Sequence, residues 1–152
     1  ALLFIGHRNA TTQLMPQLET AIKKHICDYS VTDFVVGQYG AFDRMAAHAV
    51  INAKKIFPEI SLSILLPYHP AECKIHAPEG YDSTFYPPGL ELVPRRLAIV
   101  RANQYMIMHS NYLIAYAWQP GSNAKHLLDY AKSRENKNQI YITNLALSKR
   151  SI

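Results

Sequence analysis

Short apolar runs alternate with stretches of helical periodicity along most of this chain, and few folds accept that alternation. The run 2–5, Leu-Leu-Phe-Ile closed by Gly6, reads as a strand buried on both faces. After a turn at 8–12, Leu14, Leu18, Ile22 and Ile26 recur at helical spacing, with Pro16 tolerated in the first turn. Residues 33–36 form a second strand, ended by a glycine turn. Phe42, Met45, Ala46, Ala49, Val50, Ala53 and Ile56 then trace one face of a helix stopped by Pro58. Residues 61–66 are a third strand, closed by Pro67. Pro94 opens a helix running to about Met108, and 112–118 is a fourth strand. Ser122 is placed to cap a helix whose buried stripe is Ala124, Leu127, Leu128 and Ala131, and 139–145 is the last strand.

Strands this short, joined by helices, need right-handed crossovers. The pattern therefore predicts a Rossmann-like, doubly wound α/β fold: a mostly parallel five-stranded sheet with helices on both faces. The 152 residues suit one domain over 1–152. Between 68 and 93 the periodicity lapses into a loop rich in proline and aromatic residues; a loop that long is a lid, a binding loop or a misread element. With 49% hydrophobic and 18% charged residues the chain is expected to be globular rather than disordered. No apolar run approaches the roughly 18 residues that a membrane span requires. The apolar start lacks a basic leader and passes straight into Gly6-His7-Arg8, so it is expected to be a strand and not a signal peptide. Cys27 and Cys73 show no paired spacing, which predicts a reducing, cytoplasmic setting. The net charge of +5 favours anionic ligands without implying nucleic acid.

Ligands of open parallel sheets bind beyond the carboxyl ends of the strands. Those ends are 6–8, 37–40, 67–70 and 118–123. The strongest local signal is Gly37-Gln38-Tyr39-Gly40 running directly into a helix, since two glycines admit a close ligand and free helix N–H groups can hold a phosphate. An ordinary tight turn uses glycine as well, and Asp43 in the first helical turn would repel a phosphate. At Gly6-His7-Arg8, Arg8 can fork onto a phosphate and His7 can donate a hydrogen bond or move a proton; a surface arginine and a turn-capping histidine are the plain alternative. Arg101 and Asn103 lie on a basic helix, about 200° apart on its wheel, so both cannot face one ligand unless one sits at its edge. His69, Glu72, Cys73 and His76 match no zinc spacing, so no metal is expected. No P-loop, dinucleotide fingerprint or Ser-His-Asp order occurs, and no cofactor is expected.

Taken together, Phe4-Ile5-Gly6-His7-Arg8, Gly37-Gln-Tyr-Gly40-Ala-Phe42-Asp43, Leu66-Pro67-Tyr68, Arg101-Ala-Asn103-Gln104-Tyr-Met106 before Ser110, and Pro120-Gly121-Ser122 before a helix resemble the SLOG superfamily. That group contains LOG-type phosphoribohydrolases, SMF-type DNA-processing proteins and single-domain bacterial members, and the chain resembles the last most. The resemblance runs from Phe4 to about Ile142. It implies a nucleotide or nucleotide-derived ligand at the carboxyl rim, with Gly6, His7, Arg8, Gly37, Gly40, Arg101, Asn103, Gly121 and Ser122 around it. The phosphoribohydrolases carry PGGxGTxxE. Here Ser122 stands for the Thr, but Lys125 falls where the Glu belongs, and a cation cannot stabilise an oxocarbenium ion. Asp43 and Glu72 remain as substitute carboxylates, and Asp43 and Arg101 are the catalytic candidates if the chain is an enzyme.

Three functions stay open on these grounds. The first is binding or sensing of a nucleotide, with Tyr68, Phe85 and Tyr86 available to stack on a base. The second is hydrolysis of a nucleoside monophosphate N-glycoside. The third is binding of single-stranded nucleic acid, against which the lysines and arginines are scattered rather than clustered. Pairing into a homo-oligomer through the apolar face of the 94–108 helix is a further expectation.

Overall fold

The computed structural model describes residues 1–38, 40–69, 79–135, 137 and 139–146. Among these residues the strands and α-helices follow one another as β1 (Leu2–Gly6), α1 (Met15–Tyr29), β2 (Asp33–Val36), α2 (Ala41–Lys54), β3 (Ser61–Leu65), β4 (Ser83–Phe85), α3 (Ala98–Met108), β5 (Tyr112–Tyr116), α4 (Asn123–Glu135) and β6 (Tyr141–Asn144). The architecture is α/β, built on one sheet in the order β4-β3-β2-β1-β5-β6. Every pairing in it is parallel.

The period-two alternation of the central strands sorts their side chains into two cores. Leu2 and Phe4 of β1, with Phe34 and Val36 of β2, pack under α1 and α2, against Leu18, Ile22, Phe42 and Val50. Leu3, Ile5 and Val35 point the other way, to Ala102 and Met106 of α3 and Leu127 and Leu128 of α4. Two residues of β1 are thus committed to each face, which is why Leu2, Leu3, Phe4 and Ile5 are all buried and why the run carries no polar residue.

The sheet has six strands and not the five expected. The additional strand, β4, lies within the supposed loop 68–93, beside β3 through Ser63–Ser83, Ile64–Thr84 and Leu65–Phe85. It is three residues long and exposed throughout, so it carries no hydrophobic alternation by which to be read. Asp82 anchors its approach: the carboxylate accepts from the Leu62 N–H at 2.8 Å and pairs with Lys54 at 2.7 Å. The helix expected from Pro94 also starts later. Residues Arg95–Leu97 make one 3₁₀ turn, and α3 proper begins at Ala98. Pro16 does sit at the start of α1 as expected.

From β1 the chain steps outward through β2, β3 and β4, then returns to lay β5 on the other side of β1. The loop leaving β1 leads to α1 on one face, and the loop leaving β5 leads to α4 on the opposite face. Loops that part in this way open a crevice beyond the strand ends, the place where open α/β sheets hold ligands. Among the described residues no helix is long and apolar enough to cross a membrane.

Candidate functional site

A crevice of about 310 Å³ opens at that reversal of strand order. Its floor is the end of β1, Gly6-His7-Arg8-Asn9. Gly37 and Asp43 form one wall, Ile99 and Asn103 of α3 another, and Gln119 with Ser122-Asn123-Ala124 the third. The expected residues Gly6, His7, Arg8, Gly37, Asp43, Asn103 and Ser122 are therefore brought together. Gly40, Arg101 and Gly121 do not line the crevice. Arg101 is exposed on α3, on another face from Asn103, as the 200° separation requires. Gly121 is exposed at the turn into α4.

The glycine turn has a packing function. Gly40 adopts φ +133°, ψ 177°, a region nearly confined to glycine, and a Cβ there would lie 2.7 Å from the Arg8 Cα. The first N–H of α2, on Ala41, donates to the Arg8 carbonyl at 2.9 Å. Gly6 is pressed by the same helix: a Cβ there would overlap the Phe42 ring. The Asp43 carboxylate fills the space over Gly37, where a Cβ would stand 2.9 Å from Oδ2. Its charge is also felt at Tyr81, whose phenol is pushed up first by burial and then by Asp43. The start of α2 is thus occupied by its own carboxylate and is poorly suited to an anion.

The start of α4 differs. Ser122 caps it: its Oγ donates to the Gln119 carbonyl at 2.8 Å and accepts from the Lys125 N–H at 3.1 Å. With its proton committed, the hydroxyl has none to offer a ligand. The next two amides, on Asn123 and Ala124, have no acceptor among the described residues and lie on the crevice. No acid sits in this first turn. Lys125 extends along the helix to pair with Asp129 at 2.7 Å. In the same lining, Arg8 is exposed and its guanidinium makes no ion pair among the described residues.

His7 is only 4% exposed. Its Nε2 accepts from the backbone N–H of Trp118 at 2.9 Å and of Gln119 at 3.3 Å, so the ring is neutral with its proton on Nδ1. Burial pushes its pKa below the ordinary 6.5. Asn103 donates through Nδ2 to Ile99 of its own helix at 3.0 Å, which leaves Oδ1 as its free acceptor.

Sequence reasoning placed Gln119 and Asn123 on the rim at 118–123 without singling them out, and missed Asn9, one position beyond 6–8. The aromatic candidates lie elsewhere. Tyr68 carries the Arg95 guanidinium over its ring at 4.1 Å, Tyr86 meets His69 edge-on at 5.4 Å, and Phe85 lies 6.0 Å from Tyr105. Glu72, Cys73 and His76 fall outside the described residues, among which no group of His, Cys, Asp and Glu is placed to hold a metal ion.

No protein-family model matches this chain, and no curated protein matches it at a significant level. Function is therefore to be read from the crevice itself.

Proposed function

We propose that the crevice binds a nucleotide or nucleotide-derived ligand, on a Rossmann-like scaffold of the SLOG kind. One observation carries this reading: Asn123 and Ala124, whose amides have no acceptor among the described residues, line the same crevice as Arg8, which makes no ion pair among them. Free amides at a helix start and a guanidinium are groups suited to a phosphate. The volume is at the lower end of small-ligand sites, which suits a mononucleotide better than a polymer. Isothermal titration with nucleoside 5′-monophosphates tests it. Binding is expected for at least one of them, weakened roughly tenfold or more in Arg8→Ala, since a charge-assisted bond is worth about 1.5–3 kcal/mol. No heat with any nucleotide would refute it.

Asp43 supports a second reading, N-glycoside hydrolysis. Among the described residues it is the one carboxylate lining the crevice, while Lys125 is turned to Asp129. A carboxylate beside the scissile bond could stabilise an oxocarbenium ion. Release of free base from adenosine 5′-monophosphate, lost in Asp43→Asn with binding retained, would establish the enzyme. Binding without base release would leave a sensor.

A further inference from the structure

The contacts of His7 give it a part in the crevice that differs from contacting the ligand. The residue belongs to the end of β1, yet its side chain bonds to the turn after β5: a single ring nitrogen receives the Trp118 and Gln119 amides. The ring is held edge-on between Tyr116 and Trp118, at 5.6 and 5.5 Å between centroids. The turn that it holds continues through Gln119, whose carbonyl anchors the Ser122 hydroxyl, into the first residues of α4. His7 therefore ties the amide wall to β1, beside the Asn144 side chain, which bonds the Ala117 N–H and carbonyl from β6.

We propose that His7 is a positioning residue that acts as a pH-operated latch: neutral, it clamps the Trp118–Gln119 turn to β1 and sets the start of α4, and protonated it releases both. The chemistry is one of donor count. The neutral ring offers Nε2 as an acceptor to two N–H groups. Protonation places a third N–H on that atom, so donors oppose donors, both bonds are lost, and the turn must swing out to rehydrate a buried cation. Other ionisable groups near the latch are Arg8 beside it, Tyr116 on β5 and Asp43 on α2, with Lys125 and Asp129 already paired on α4. Desolvation alone sets the direction of the His7 shift, so release occurs below pH 6.5.

The latch does not need a ligand to be observed, although its effect on binding rests on the function proposed above. Trp118 is the only tryptophan and lies against the His7 ring, so its fluorescence reports protonation there. In the wild-type protein, emission is expected to change with a midpoint below pH 6.5, and the Trp118 and Gln119 amides to be less protected, relative to the intrinsic exchange rate at each pH, at about pH 5 than at about pH 7.5. His7→Gln keeps an acceptor without a titrating ring, and should remove both responses. With adenosine 5′-monophosphate as probe, wild-type affinity should fall roughly tenfold more over that interval than the affinity of His7→Gln, the effect of about one lost hydrogen bond. The variant carries only the loss due to protonation of the phosphate itself, whose second pKa is about 6. A transition that persists unchanged in His7→Gln, or turn amides equally protected at both pH values, would overturn the latch. If the variant does not fold, wild-type NMR decides: the His7 ring nitrogens and the two amides must titrate with one midpoint. Absence of binding at any pH would count against the nucleotide reading alone, since fluorescence and exchange judge the latch without it.

Discussion

A methyl group added at Gly6 would enter the Phe42 ring, and at the end of the central strand neither partner has room to withdraw. Gly6→Ala is expected to lower stability by about 1–3 kcal/mol, the usual cost of overpacking. Urea denaturation checks it, and an unchanged midpoint would mean that Phe42 is not fixed. A second residue-scale effect lies at the opposite end of the sheet. His25 is 1% exposed, its Nδ1 donates to the Ala21 carbonyl at 2.7 Å, and its Nε2 has no partner among Tyr29, Tyr112 and Tyr141. Burial, aided by Lys24, lowers its pKa against the opposing pull of the Ala21 bond and Asp28. The unfolded chain thus takes up a proton near 6.5 and the folded one only at lower pH. The contribution of His25 is complete above pH 6.5 and is lost as pH falls towards its folded value. Denaturation midpoints should therefore drop from about pH 7.5 to about pH 5, and less steeply in His25→Gln. An identical slope in that variant would assign the loss to other groups.

At the scale of elements, α4 links stability to the crevice. Ser122→Ala removes the acceptor for the Lys125 amide and the tie to Gln119, and should cost about 1 kcal/mol. Thermal denaturation measures this, and a change of less than a few tenths would show that the cap is dispensable. The elements also show what the sequence could disclose. β1, β2 and α2 were legible because burial writes itself as uninterrupted apolar runs or as one apolar helix face. β4 was not, since an exposed edge strand of Ser-Thr-Phe has no buried face to impose a pattern. The 3₁₀ turn at Arg95–Leu97 was hidden because Pro94 signals a helix start without fixing the kind of helix. The glycine turn was legible as a turn, but its cause was not: Gly40 answers to the Arg8 backbone, 32 positions earlier, and no local pattern records that contact.

At the scale of the molecule, topology gathers the site. Residues from β1, the start of α2, α3 and the β5–α4 turn meet only because the chain returns from β4 to place β5 beside β1. The alternation of elements predicted that convergence at the strand ends, and helical geometry separated Arg101 from Asn103. What it left undecided was which helix start remains open, and that depended on where the Asp43 and Lys125 side chains turn. The net charge of +5 draws anions to the surface in general, whereas in the function we propose Arg8 and the α4 amides give one of them a place to stay. The most direct measurement is amide chemical-shift mapping while a nucleoside 5′-monophosphate is added. The account predicts that the Asn123 and Ala124 amides move first and furthest, with Gly37 and the residues around Arg8 following. Saturable shifts that cluster elsewhere while Asn123 and Ala124 stay in place would contradict it.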